Sequence, residues 1–188
     1  LADDYGVGVV FVDHNDADRA QAAHQHLEAE IASEGLQVAG WRTVPTNPDA
    51  CGESARATMP TIEHLFVNRP DGMDSVDFER HLYIARRRTE KALESAGDEV
   101  FYVPSFSARV VSYKGMVMPE FLPLFYPDLG DERMDSTLCV FHQRFATNTL
   151  PQWRLAQPFR YLAHNGEINT IRGNRNWARA RSYTFSTE

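Results

Sequence analysis

The chain has 188 residues, 43% of them hydrophobic and 24% charged, with a formal net charge of −7. That composition is ordinary for a globular protein with a core of its own, and the acidic balance argues against nucleic acid or an anionic membrane as partner. No apolar run reaches a membrane span, no secretory signal is visible, and the two cysteines, Cys51 and Cys139, make no disulfide framework, so a reducing, cytoplasmic setting is expected.

Tyr5–Val12 reads as a strand. Its Gly6-Val7-Gly8 lacks the third glycine of a dinucleotide loop, because position 11 is Phe. Ala17–Ser33 reads as a helix with Ala20, Ala23, Leu27 and Ile31 on one face, opened by Asp13 or Asp16 and ended by Gly35. His24, His26 and Glu28 on it are not spaced to meet at one metal. Val38–Val44 is a strand, Thr46–Pro60 a polar loop holding Cys51, Ile62–Asn68 a strand, and Pro70-Asp71-Gly72 a turn. Val76–Ser95 is the clearest helix, with Phe78, Leu82, Ala85, Thr89 and Ala92 at three-four spacing. Its Arg86-Arg87-Arg88 run spreads around the helix, so at least one arginine should meet a carboxylate. Phe101–Ser107 and Arg109–Tyr113 read as paired strands, and Lys114–Pro119 leads into a short helix, Glu120–Phe125.

The chemistry concentrates further on. Ser136–His142 reads as a strand, with Cys139 in the core, running into the polar loop His142-Gln143-Arg144-Phe145-Ala146-Thr147-Asn148-Thr149. An arginine at a strand mouth can clamp a carboxylate through two parallel charge-assisted bonds, and Thr147 and Asn148 add short polar groups beside it. Pro151, Trp153 and Pro158 stiffen the following loop and give it an apolar cover. Phe159–His164 reads as a second strand that ends at Asn165-Gly166 and leads into a helix near Thr170–Arg179. Asn-Gly is first a turn signal, but the Asn165 amide and the Gly166 N–H could also converge on one oxygen and stabilise a tetrahedral intermediate. Charge is uneven: residues 141–188 hold seven arginines and two acids, a balance of +5, which leaves −12 for the remainder. Packing between domains is the simplest use for that basic end. Periodicity alone supports an α/β or α+β fold.

The run Gln157-Pro158-Phe159-Arg160-Tyr161-Leu162-Ala163-His164-Asn165-Gly166-Glu167-Ile168-Asn169-Thr170 closely resembles the glutamine amidotransferase domain of the glutamate synthase large subunit. The resemblance extends through Gly40–Asn47, Ile62–Asn68, Leu82–Arg88 and Tyr113-Lys114-Gly115-Met116, and so covers nearly the whole chain. It implies an α+β fold, the four-layer αββα sandwich of N-terminal-nucleophile hydrolases. It implies that Arg144 binds the α-carboxylate of L-glutamine, that Thr147 lines the same pocket, and that Asn165 and Gly166 form the oxyanion hole. Trp153 and its neighbours would belong to a loop that closes over bound glutamine. The nucleophile of the family is an N-terminal cysteine whose own α-amino group serves as base.

This sequence departs from the pattern at its start, where Leu1 stands and neither cysteine fits the nucleophile. Tyr5–Val12 matches a later strand of the family, so the chain is expected to be a partial domain, 1–188, lacking N- and C-terminal parts. No metal site is expected in it. The flavin mononucleotide and the three-iron iron–sulfur cluster of the family should lie in other regions of the polypeptide, with a small NADPH-oxidising subunit as a further partner. A non-catalytic glutamine-binding regulatory module is the alternative from a different class. A third is another amidotransferase, one making an amino sugar or a purine precursor, against which the long match over 157–170 speaks.

Overall fold

The computed structural model describes residues 4–144, 150–159 and 171–182. At its centre is one antiparallel sheet of four strands, in the order β2-β3-β1-β4. The strands are β1 (Tyr5–Val12), β2 (Gln37–Thr43), β3 (Thr61–Asn68) and β4 (Tyr102–Ser107). Val9 faces His64 and Phe11 faces Ile62 across β1 and β3, so alternate residues of each strand serve two different cores. The expected strands are found here, with bounds shifted by one residue at most at each end.

Two helices cover one face. Helix α1 (Ala17–Ser33) begins where Asp16 Oδ1 accepts the Arg19 N–H at 2.9 Å, which selects Asp16 over Asp13 as its cap. It ends at Gly35, whose φ of 74° suits a residue without a side chain. Helix α3 (Ser75–Ser95) is capped by Asp74, whose Oδ1 accepts the Val76 N–H at 2.8 Å. Between the helices and the sheet lie Val10, Val12, Leu27, Ile31, Leu65, Val67, Phe78, Leu82 and Phe106, all buried. Each such side chain contributes roughly 1.5–3 kcal/mol on transfer from water. The glycines of β1 belong to this packing. A Cβ on Gly6 would lie 2.6 Å from Leu82 Cδ1, so the glycine lets α3 press on the sheet.

Charged side chains lock the helix pair from outside. Glu34 takes both His81 Nδ1 at 2.7 Å and Arg88 at 2.6 Å, and Arg87 pairs with Glu90. Arg87 and Arg88 thus meet carboxylates, and Arg86 stands over the Tyr83 ring. His24, His26 and Glu28 go separate ways, to Glu63, towards Glu30 and to the Trp41 indole.

The opposite face is covered by short pieces. They are α2 (Glu53–Ala57), α4 (Leu122–Phe125) and single 3-10 turns at Pro48–Ala50, Pro119–Phe121, Pro127–Gly130 and Trp153–Leu155. They bury Val9, Phe11, Val44, Cys51, Ala55, Ile62, Phe125, Tyr126 and Trp153. The stretch 46–60 is therefore not a plain loop, and Cys51 in it is buried.

Two expected strands do not form. In residues 109–113 three of the N–H groups are claimed by side chains rather than by a ladder. Ser107 Oγ accepts from Arg109 and Val110, and Ser105 Oγ accepts from Ser112. Residues 136–142 are irregular and, apart from the part-buried His142, exposed, with Leu138 at 76% and Phe141 at 79%, because no strand among the described residues lies alongside them. Cys139 is consequently exposed, not core. The expected strand Phe159–His164 lies mostly outside the described residues, whereas the helix expected after it is present as α5 (Ile171–Ala180). The fold described is a mixed α/β arrangement on one antiparallel sheet.

Candidate functional site

The non-helical face of the sheet carries the polar groups that fix the C-terminal part of the chain. At its centre is Lys114, only 2% exposed. Its Nζ donates to Arg154 O at 2.9 Å and Ala156 O at 2.8 Å. The same nitrogen stands 4.6 Å from the centroid of Tyr102 and 4.7 Å from that of Phe159. Two carbonyls and two ring faces thus replace the water that an ammonium would otherwise keep. Burial pulls its pKa down to about 7, a fall that Glu90 partly opposes.

Around this nitrogen the packing is tight. Trp153, 5% exposed, lies over Gly115, and its Nε1 donates to Ala55 O at 3.0 Å. The Tyr126 hydroxyl donates to Lys114 O at 2.8 Å and is itself buried. Burial raises the Tyr126 pKa far above the usual phenol range. Trp153 is therefore a core anchor for residues 153–156.

Beside this anchor runs a charged pair. Arg42 donates from Nη1 and Nη2 to the two oxygens of Asp128, each at 2.7 Å. Tyr113 OH donates to Asp128 Oδ2 at 3.1 Å, and His64 Nδ1 lies 3.4 Å from Arg42 Nη1. The bonds from Arg42 hold the Asp128 carboxyl below its usual range. Burial, then Asp128, pushes the Tyr113 phenol up to about 12. Burial and the Arg42 charge lower the His64 pKa. The cluster joins β2, β3 and the turn after Tyr126.

Of the four residues expected to bind and activate a substrate, the structure places Arg144, which is exposed at the end of a described stretch. Thr147, Asn165 and Gly166 lie outside the described residues. What the structure adds is the anchor at Lys114, Gly115 and Trp153, which precedes Asn165-Gly166 in the chain. In the sequence Lys114 stands out only as the lead into a helix and as part of the family-like run Tyr113-Lys114-Gly115-Met116. The usable signal was its place between an aromatic residue and a glycine. Among the described residues there is no group of three His, Cys, Asp or Glu side chains fit for a metal ion, and no helix long and apolar enough to cross a membrane. The chain's two cysteines, one buried and one exposed, do not suit an iron–sulfur cluster, which needs several convergent thiolates.

The pattern of the family described as "Glutamine amidotransferases class-II" matches residues 1–188. The chain is 50% identical over 174 residues to the "Glutamate synthase [NADPH] large chain" of Azospirillum brasilense, covering 93% of this chain and 12% of that protein. It is 47% identical over 178 residues to the "Ferredoxin-dependent glutamate synthase 1, chloroplastic/mitochondrial" of Arabidopsis thaliana, covering 94% of this chain and 11% of that protein. With the "Glutamate synthase [NADPH] large chain" of Bacillus subtilis (strain 168) the identity is 43% over 185 residues, 98% of this chain and 12% of the relative. The chain thus spans about an eighth of the length of the relatives it matches.

Proposed function

The chain belongs to the class-II glutamine amidotransferases, and from that premise we propose that it is part of the glutaminase domain of a glutamate synthase large chain. The observation that carries this reading is the 50% identity to a glutamate synthase over 93% of the chain. The oxyanion motif His164-Asn165-Gly166 and the Arg144 box both lie within the family match.

In this reading the parent polypeptide supplies the nucleophilic cysteine from a segment outside this chain, since neither Cys51 nor Cys139 suits the task. Arg144 grips the α-carboxylate of L-glutamine through its guanidinium fork, and Thr147 lines the same pocket. Thiolate attack turns the side-chain amide carbonyl into an oxyanion. The Asn165 amide and the Gly166 N–H donate to that oxygen where the charge develops. The α-amino group beside the thiol titrates near neutrality, so it can take the thiol proton and return it to the departing ammonia. Water then releases glutamate. The ammonia is passed to a synthase site elsewhere in the polypeptide for reductive transfer to 2-oxoglutarate. Flavin mononucleotide and an iron–sulfur cluster, held by other regions, supply the reduction there, with electrons from a small NADPH-oxidising subunit or from ferredoxin. The second sheet of an αββα sandwich would cover the exposed apolar residues of 138–141. Two free cysteines fit a reducing compartment, the cytoplasm in a bacterial host.

The test is glutamine hydrolysis by the full-length polypeptide. Arg144→Ala should raise KM about 10- to 100-fold, the loss of a charge-assisted pair. Asn165→Ala should lower kcat about 100- to 1000-fold. Glutamine binding by calorimetry without any hydrolysis would instead favour a non-catalytic glutamine-binding module. Neither binding nor hydrolysis in a folded protein would end both readings.

A further inference from the structure

We propose that Lys114 is a positioning residue for the glutaminase reaction: its side-chain nitrogen ties the backbone at Arg154 and Ala156 to the sheet, and so holds in place the segment that precedes Asn165-Gly166 in the sequence. This rests on the function proposed above.

The argument begins with what a buried lysine costs. An ammonium withdrawn from water is destabilising unless its donors are used, and a methionine or leucine would fill the same space without that cost. Here the donors go not to a carboxylate but to the C-terminal end of the single 3-10 turn Trp153–Leu155. They go to two carbonyls two residues apart, Arg154 O and Ala156 O, in a stretch that has little regular structure of its own. One acceptor would hold a point. Two alternate carbonyls fix the direction of the backbone between them. The ring of Phe159, three residues on, closes over the same nitrogen at 4.7 Å, while Tyr102 supports it from β4 at 4.6 Å.

The anchor is rigid on the other side as well. Lys114 O accepts from the buried Tyr126 hydroxyl, and Gly115 lies against the Trp153 ring. The nitrogen is therefore referenced to the sheet through Tyr102, and the chain is referenced to the nitrogen at three places between 154 and 159. Only five residues separate Phe159 from Asn165. A displacement of about 1 Å at a catalytic group costs on the order of 100-fold in rate. A loosened anchor five residues before the proposed oxyanion donors in the sequence should therefore be read in kcat, while Arg144, which is no part of the anchored segment, keeps its grip on glutamine.

The experiment compares three variants of the full-length polypeptide. Lys114→Met keeps the length and apolarity of the side chain and removes the donors. Phe125→Leu perturbs the same core without touching the nitrogen. Phe159→Leu removes one ring and leaves both carbonyl bonds. For Lys114→Met the expected result is a fall in kcat of about 10- to 100-fold with KM for glutamine within about threefold of wild type. Faster hydrogen exchange confined to the amides of 153–159 should accompany it. Phe125→Leu should lower Tm while leaving kcat of the folded fraction unchanged. If Lys114→Met does not fold, Phe159→Leu carries the test, with a smaller fall in kcat expected in the same direction.

Wild-type kcat in the decisive variant overturns the proposal, as does a loss that scales with the folded fraction in the manner of Phe125→Leu. A wild-type protein without glutaminase activity overturns the underlying reading instead. In that case unchanged exchange at 153–159 in Lys114→Met would show that the anchor itself is also wrong.

Discussion

A Cβ atom placed on Gly115 would lie 2.6 Å from Cζ3 of Trp153. The indole has little room to retreat. Its Nε1 is bonded to Ala55 O at 3.0 Å and its ring packs 5.5 Å from that of Phe125. Gly115 is thus required by close approach of an aromatic ring, not by a turn. Gly115→Ala should lower stability by roughly 1–3 kcal/mol, the usual range for overpacking. Gly130→Ala, where a Cβ would meet nothing within 4 Å, should stay within about 0.5 kcal/mol of wild type. Urea midpoints of the two variants check the contrast, and equal midpoints would mean that the Trp153 contact is not the constraint.

The Arg42–Asp128 pair predicts a pH dependence with a definite sign. Arg42 holds the Asp128 carboxyl below its ordinary pKa of about 3.9. A carboxylate depressed in the folded state stabilises the protein above the unfolded pKa and loses that contribution as pH falls through the folded one. Asp128→Asn should therefore be less stable than wild type at pH 7, and the difference should shrink below about pH 4. Because the Arg42 side chain is 42% exposed, the effect at pH 7 should be near 1 kcal/mol, the upper end for surface pairs with bidentate geometry. Chemical denaturation at several pH values measures it. A difference that persists unchanged to pH 2 would show that the substitution acts by something other than the charge.

The helices were legible because their signals are local. Phe78, Leu82, Ala85 and Thr89 repeat at three-four spacing and all four are buried, and Asp16 and Asp74 sit where caps belong. The four strands were legible from apolar content between turns. Residues 109–113 misled because Val110, Val111 and Tyr113 are strand-favouring residues, while the N–H groups of Arg109, Val110 and Ser112 are taken by Ser107 and Ser105, a choice that no local pattern reveals. Residues 136–142 carry a strand pattern with no neighbouring strand among the described residues. The anchor at Lys114 was hidden for a different reason. A lone lysine is ordinarily a solvated side chain, and only the distant carbonyls of 154 and 156 make it a buried one. The short motifs that carried the resemblance at Gly40–Asn47 and Tyr113–Met116 prove to be frame: Arg42 holds Asp128, and Tyr113 and Lys114 hold what packs on the sheet.

The two thiols should differ in reactivity. Cys139 is exposed, whereas Cys51 is buried and its thiol is pushed up by burial, with Arg56 partly opposing. Since the thiolate is the reactive form, brief alkylation of this chain at neutral pH should label Cys139 and spare Cys51 until denaturant is added. Peptide mass mapping distinguishes the two sites. The same experiment on the full-length polypeptide tests the second sheet of the proposed sandwich. Its formation over residues 136–142 should protect Cys139, and undiminished labelling there would count against the four-layer arrangement.

Two tyrosines that look alike in sequence should respond differently to loss of the hydroxyl. Tyr126 is 1% exposed, and its OH is bonded to Lys114 O at 2.8 Å. Removing it leaves that carbonyl facing an apolar ring edge, so Tyr126→Phe should cost about 1–3 kcal/mol, the desolvation penalty of an unsatisfied buried group. Tyr113 is half-buried and gives its OH to Asp128, which keeps both of its bonds from Arg42 when the phenol is gone. Tyr113→Phe should therefore cost less, about 0.5–1 kcal/mol. Urea unfolding of the two variants gives the order directly. Because Tyr126 holds the carbonyl of the residue whose ammonium anchors 154–156, Tyr126→Phe should also speed hydrogen exchange in that segment, whereas Tyr113→Phe should not. The reverse order in either measurement would place the stabilising role of this face in the Arg42–Asp128 cluster and not in the bond from Tyr126 to Lys114.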